Sequence, residues 1–212
     1  MKTHARSPKQ IMEIAFAFRR SKVLLTAVEL GLFGTLARKP CNATTLAKKL
    51  GLNGRGAQDF FDALVALGLL TRNAHGDYAN TGEADQFLDP GSATYIGDAL
   101  DRVSHRVYPN WHQLGTALRS GQPQSGAFGI GGYDALYADA HNTEIFLRGM
   151  TGTSVMLANG LADAIDWTNY QDVVDIGCAE GHVPIQLACH HPHLRIAGFD
   201  LPCVRSAFER YV

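Results

Sequence analysis

The chain has 212 residues, 46% of them hydrophobic and 18% charged, with a formal net charge of −1. That length allows one large or two small globular domains with real cores, and the composition is that of an ordinary soluble protein. Met1 to Gln10 carries Lys2, Arg6 and Lys9 with no apolar stretch behind them, and no window approaches eighteen consecutive apolar residues. Neither export nor membrane insertion is indicated, and a cytoplasmic location is expected. Cys41, Cys178, Cys189 and Cys203 are dispersed, form no C-x-x-C pair and read as reduced thiols. The charge is uneven: residues 1–90 hold 12 Lys and Arg against 8 Asp and Glu, and residues 91–212 hold 7 against 12. Such asymmetry can mark a nucleic-acid-binding front end, which the detailed pattern must support or oppose.

Ile11, Ile14, Ala15 and Phe18 recur at three- and four-residue steps, and Val23, Leu24, Ala27 and Val28 continue that period after Ser21 as an N-cap. Two short helices ending near Gly31 are expected. A short helix over Thr44 to Leu50 and a turn at Gly51 to Gly54 precede a longer helix carrying Phe60, Phe61, Leu64, Val65 and Leu67, all read as core. Leu69 to Arg72 and Tyr78 to Thr81 then flank Asn73 to Asp77 as a hairpin. Helix, turn, helix and hairpin in that order predict a winged helix. Residues 92–120 and 133–166 read as helices around a glycine-rich loop, Gly121 to Gly132. From Gln171 the character changes. Val173 to Ile176 is an apolar strand run, Gly177 to Gly181 a tight turn, Val183 to Cys189 a helix with Pro184 in its first turn, and Leu194 to Phe199 a second strand. This is a βαβ unit opening a parallel sheet, so the predicted class is mostly α with α/β.

The sharpest signal lies in that unit. Asp175-Ile176-Gly177-Cys178-Ala179-Glu180-Gly181-His182 is followed nineteen residues after Gly181 by Asp200, at the end of the second strand. Glycines let the backbone turn sharply against a ligand, and the acidic tip of the second strand can accept hydrogen bonds from both ribose hydroxyls of a nucleoside. A dinucleotide fingerprint wants G-x-G-x-x-G, but Ala179 and His182 stand at its second and third glycine positions. The pattern D-x-G-x-x-x-G suits S-adenosylmethionine better, since that cofactor has no phosphate to cradle. A bare strand-to-helix turn in another α/β protein is the alternative.

Asp175 to Gly181 and Phe199-Asp200-Leu201-Pro202 resemble the first glycine motif and the D-L-P motif of the S-adenosylmethionine-dependent O-methyltransferases that act on phenols, hydroxyindoles and polyketide hydroxyls. Tyr108-Pro109-Asn110-Trp111 and Phe146 to Met150 are similar to elements of that family's linking helices. The resemblance implies a winged-helix dimerisation domain over 1–90, a helical linker and substrate-pocket region over 91–169, and the first βαβ unit of a Rossmann-like class I methyltransferase sheet over 170–212. It implies that Asp200 holds the ribose and that Asp175, Gly177, Ala179 and Gly181 line the cofactor. Tyr137 and Ser154 fall where the linking helices touch the cofactor, and Met150 where they touch the substrate. Ala179 departs from the usual second glycine and adds a methyl group where the cofactor passes. Val212 falls inside the helix after the second strand, so roughly 100 residues of a doubly wound sheet are expected beyond it, with the adenine-side contacts and the family's histidine base. No catalytic residue is therefore assigned, and the 212 residues alone are expected to be inactive.

The resemblance implies as partners a small aromatic or polyketide hydroxyl substrate, a second copy of the chain through the front domain, and optionally a complementing C-terminal polypeptide. Ile11, Ile14 and Phe18 supply apolar surface for the dimer or for an internal core. The competing reading is a regulator whose winged helix reads DNA, but Arg55 to Phe61 and its neighbours offer Arg55, Gln58, Asp59 and Asp62, whose aspartates repel phosphate. Neither nucleic acid nor membrane is expected as a partner. His190-His191-Pro192-His193 reads as a solvated loop and not a metal site, and His105 and His112, seven apart and so on one helix face, read as ordinary partly buried histidines, with a place beside a substrate pocket as the alternative.

Overall fold

The structure, a computed structural model, describes residues 7–124 and 132–212. Most of the predicted loop Gly121 to Gly132 lies outside the described residues. The chain forms two compact units, Met1–Asp89 and Pro90–Val212. It is mostly helical with two small sheets, one in each unit. No described helix is long and apolar enough to cross a membrane.

In the first unit α1 (Lys9–Phe16) runs into α2 (Phe18–Glu29) through Ala17, which itself has helical dihedrals. Ser21 therefore lies inside α2 and caps nothing, a correction to the expected start; no side chain caps either helix. After α3 (Leu32–Arg38), the two-residue strand β1 (Cys41–Asn42) leads into α4 (Ala43–Lys49), whose first turn is closed by the Asn42 side chain accepting from the Thr45 amide at 2.9 Å. Asn53 serves α5 (Gly54–Ala66) in the same way. The hairpin of β2 (Leu70–Arg72) and β3 (Asp77–Asn80) turns on Asn73, whose side-chain oxygen accepts from the amides of His75 and Asp77, with Gly76 left-handed at φ 84°. β1 adds to β3 as a third antiparallel strand, and α6 (Gly82–Leu88) follows; the sequence reading predicted neither element.

Phe33, Leu46, Phe61, Leu64, Leu70 and Tyr78 are sealed into this core. Phe61 meets the Tyr78 ring edge-on at 5.5 Å, and the Tyr78 hydroxyl donates to Asp62 at 2.6 Å. Asp62 also receives Arg72, so it ties the hairpin to α5 and is not a free surface acid as expected. Burial first, and the Asp62 carboxylate second, push the Tyr78 phenol up to about 12. By contrast α1 buries nothing within its unit: Ile11 and Ile14 are 70% and 71% exposed, and Phe18 at the start of α2 is 53% exposed.

The second unit begins with α7 (Gly97–Arg102), a π turn over Val103–Val107, then α8 (Tyr108–Asn110) and α9 (Leu114–Ser120). Pro109 explains the irregularity, because its ring would clash with the carbonyl of residue 105 in a straight α-helix; widening the preceding turn avoids this. His105 sits in that turn and His112 in a 3₁₀ turn, so the regular helix face expected for the pair does not exist. α10 (Gly132–Tyr137) and the long α11 (Ala140–Ala164) follow, the latter capped by Asp139.

β4 (Asp172–Ile176) and β5 (Arg195–Phe199) pair in parallel, with α12 (His182–His190) crossing between them and α13 (Arg205–Tyr211) closing the unit. One sheet face packs Val173 and Ile196 against Ala162, Trp167, Leu187 and Leu194. His190 and His193 are exposed and His191 half-buried; His191 and His193 each bond a backbone carbonyl (Ala162 and Trp167) at 2.9 and 3.1 Å and so staple this helix-to-strand turn. The opposite sheet face is bare, with Val174, Ile176 and Phe199 at 59%, 79% and 66% exposed.

Candidate functional site

The turn after β4 is built from three left-handed residues: Gly177 at φ 80°, Ala179 at 49° and Gly181 at 88°. It is pinned from both sides. The Gly177 amide donates to the Phe199 carbonyl at 2.8 Å, and the Gly181 amide to Cys178 at 2.8 Å. The Ala179 amide donates to Asp200 Oδ2 at 2.8 Å, while Asp200 Oδ1 accepts from the Leu201 amide at 2.7 Å. The parallel register that sets Ile176 opposite Phe199 thus brings the loop and Asp200 together at the same end of the sheet. A Cβ on Gly181 would lie 2.6 Å from the Phe208 ring, so this position takes only glycine and lets α13 pack beneath the loop.

Above the loop lies a cleft of about 370 Å³. Tyr137, Met150, Ser154, Asp175, Gly177, Ala179 and Asp200 all border it, so seven of the eight residues singled out from the sequence meet at one place. Gly181 does not border it and acts from behind, through the turn. Sequence reasoning missed Tyr133, Phe146, Thr151 and His182, which also line the cleft. Tyr133 stacks on Tyr137 at 5.9 Å and both meet Phe146 edge-on, forming an aromatic wall. Spacing did carry a signal for the aromatic wall, since Tyr133 and Tyr137 are four apart on α10 and Phe146 is four before Met150 on α11.

The cleft is electrically one-sided. Its described lining includes two carboxylates, Asp175 and Asp200, and neither Lys nor Arg. Burial raises the Asp175 carboxyl above its usual range, and the Asp200 charge raises it further. Burial, Asp200 and Asp175 in that order hold the Cys178 thiol up as well, which keeps it protonated and poorly nucleophilic. The Tyr137 phenol is pushed up to about 12 by burial first and Asp200 second. The site therefore favours a ligand that brings positive charge and hydroxyl donors, and it offers no activated nucleophile.

Residues 12–90 match the O-methyltransferase dimerisation domain and residues 111–212 the O-methyltransferase domain. The chain belongs to the O-methyltransferase family. It is 40% identical over 210 residues to the tetracenomycin polyketide synthesis 8-O-methyl transferase TcmO of Streptomyces glaucescens, covering 99% of this chain and 61% of that protein. It is 36% identical to the N,N-dimethyltransferase OxyT of Streptomyces rimosus over 92% of this chain and 57% of that one. The chain thus spans about three-fifths of the length of these methyltransferase relatives. Among solved structures, human N-acetylserotonin methyltransferase in complex with SAM superposes with a TM-score of 0.83 over 100% of this chain and 64% of that one, at 22% identity.

Proposed function

We propose that the cleft is the S-adenosylmethionine site of a methyltransferase acting on a hydroxyl of a small aromatic or polyketide-type metabolite. The observation that carries the reading is the pairing of an acidic cradle with an aromatic wall. Two carboxylates with neither Lys nor Arg among the described lining residues suit a ligand carrying an ammonium, a sulfonium and two ribose hydroxyls, and aromatic faces attract a sulfonium as they do other cations. When bound, the cofactor supplies an electrophilic methyl group. In this proposal Asp200 accepts from the ribose hydroxyls, Asp175 faces the positive methionine end, and the Gly177 to Gly181 turn and the ring of Tyr137 border and orient it. Ser154 also faces the cofactor, and Met150 faces the acceptor.

For the first unit we propose a winged-helix dimerisation domain, in which the exposed Ile11, Ile14 and Phe18 pack against a second copy. The match to a dimerisation domain supports this, and although Asp62 is paired with Tyr78 and Arg72, the exposed Asp59 on α5 still opposes phosphate. The acceptor hydroxyl follows the polyketide and acetylserotonin O-methyltransferases among the relatives, one of which, OxyT, is instead named an N,N-dimethyltransferase. Residues 1–212 alone are proposed to show no turnover, because the bare face of β4 and β5 offers no second wall to orient an acceptor, and unmet orientation costs several powers of ten.

Calorimetric titration with S-adenosylhomocysteine tests the site. Asp200→Ala should bind more weakly by about 2–4 kcal/mol, the worth of two hydrogen bonds to a charged acceptor. Equal affinity in the two proteins would remove Asp200 from the site.

A further inference from the structure

The same one-sidedness that fits the cofactor's positive groups leaves its carboxylate without a counterpart. Three acids stand nearby, Asp175 and Asp200 in the cleft and Glu180 in the loop, and no described lining residue is Lys or Arg. Two lining hydroxyls are already engaged within the protein: Thr151 donates to Glu180 at 2.6 Å and Ser154 to the Met150 carbonyl at 2.9 Å. One lining side chain can carry a positive charge, His182, at the start of α12.

His182 is only 6% exposed. Its Nδ1 lies 2.9 Å from the Tyr211 hydroxyl, and the two rings meet edge-on at 6.2 Å. Tyr211 borders a second, adjoining cavity and not the cleft, while His182 borders both. The two nitrogens of an imidazole point well apart, so with Nδ1 turned to the Tyr211 hydroxyl the Nε2 edge faces away from that hydroxyl. Among the described residues Nε2 has no hydrogen-bond partner, yet it is not a sealed atom, since Asn80 Oδ1 is the buried side-chain atom left without one. It is therefore an accessible atom on a side chain that borders the cleft. When the phenol donates to Nδ1, the imidazole proton resides on Nε2 and is presented outward.

We propose that His182, held in one tautomer by Tyr211, is a cofactor-binding residue whose Nε2–H donates to the carboxylate of the methionine part of the ligand. The proposal rests on the reading of the cleft as an S-adenosylmethionine site. It assigns a role to a side chain that stands where a dinucleotide fingerprint would place its third glycine, and it makes Tyr211 a positioning residue. Burial lowers the imidazole's affinity for a proton, and the Tyr211 phenol is raised by burial first and by Glu180 second, so both partners are neutral before ligand arrives. A neutral donor avoids placing a buried cation in the empty site, and an arriving carboxylate gains a directed hydrogen bond.

Two probes separate this idea from general damage. S-adenosylhomocysteine carries the carboxylate, and methylthioadenosine carries the same nucleoside without the amino-acid tail that bears it. Calorimetry on the 212-residue protein should show His182→Ala losing about tenfold to a hundredfold in affinity for the first and staying within about twofold for the second. His182→Gln, whose amide can reproduce the Nε2 donor, should recover most of that loss, and Tyr211→Phe should show a smaller loss confined to S-adenosylhomocysteine. If His182→Ala binds both probes as the parent does, or loses both equally, the carboxylate contact is wrong while the cofactor site stands. If the parent protein binds neither probe, the cofactor reading itself falls and this inference with it.

Discussion

Ala179→Gly offers a test in which the structure gives both sign and size. Ala179 is the one described residue other than glycine with positive φ, at 49°, and it holds the amide that reaches Asp200. A left-handed alanine costs roughly 1–2 kcal/mol, which glycine does not incur. Against this, glycine loosens the unfolded chain by about 0.4–1 kcal/mol. The lost methyl is half-buried against the Leu147, Val204 and Ala207 cluster, which is worth at most about 0.4 kcal/mol. The balance is near zero to about 1 kcal/mol in favour of glycine, equivalent to a rise of up to about 2–4 °C in melting temperature for a chain of this size. The same change removes a methyl from the cleft wall, so S-adenosylhomocysteine should bind at least as tightly. Thermal unfolding followed by circular dichroism, with calorimetry beside it, reads both. A fall of about 1 kcal/mol or more in stability, or weaker binding, would show that the loop is not strained at Ala179 and that its methyl supports the site.

Two further outcomes follow from other parts of the molecule. The Asp175 carboxyl has a raised folded-state pKa, so the native state holds its proton more tightly than the unfolded state; the associated stability is present at low pH and is lost as pH rises through the folded value. Asp175→Asn should therefore stabilise the ligand-free protein at neutral pH, flatten its pH profile just above the ordinary carboxylate range, and weaken S-adenosylhomocysteine binding; a destabilised variant at neutral pH would contradict the assignment. Ile14→Glu, on the exposed face of α1, should convert a dimer to monomers by light scattering with little change in melting temperature, and an unchanged mass would move the dimer interface elsewhere.

Elements whose signal is local chemistry were legible in the sequence. The Asn73 to Asp77 turn is specified by one asparagine and one glycine, and the βαβ unit by two apolar runs around a glycine turn. What escaped depends on long-range pairing or on backbone compensation. β1 is two residues that become a strand only by meeting Tyr78 and Asp77, and α6 is a seven-residue helix held by Thr81 and by Asn80 bonding Asp85. Ser21 has the right chemistry for a cap, but the chain passes from α1 to α2 without leaving helical dihedrals, so there is no end to cap. At the site, Asp175, the loop and Asp200 were readable because fixed spacing along a βαβ unit determines their meeting. His182 was not, because its role depends on Tyr211, twenty-nine residues away and on another helix.

The central claim is that the acidic cleft at the end of β4 and β5 binds S-adenosylmethionine, and the most direct measurement is the amide hydrogen-exchange footprint of S-adenosylhomocysteine on the whole chain. The account predicts slowed exchange at residues 175–183 and 199–201, with a smaller effect around 150–154 and none in residues 12–90. Saturating ligand that leaves 175–183 unprotected, or protects a different region of the chain, would contradict it.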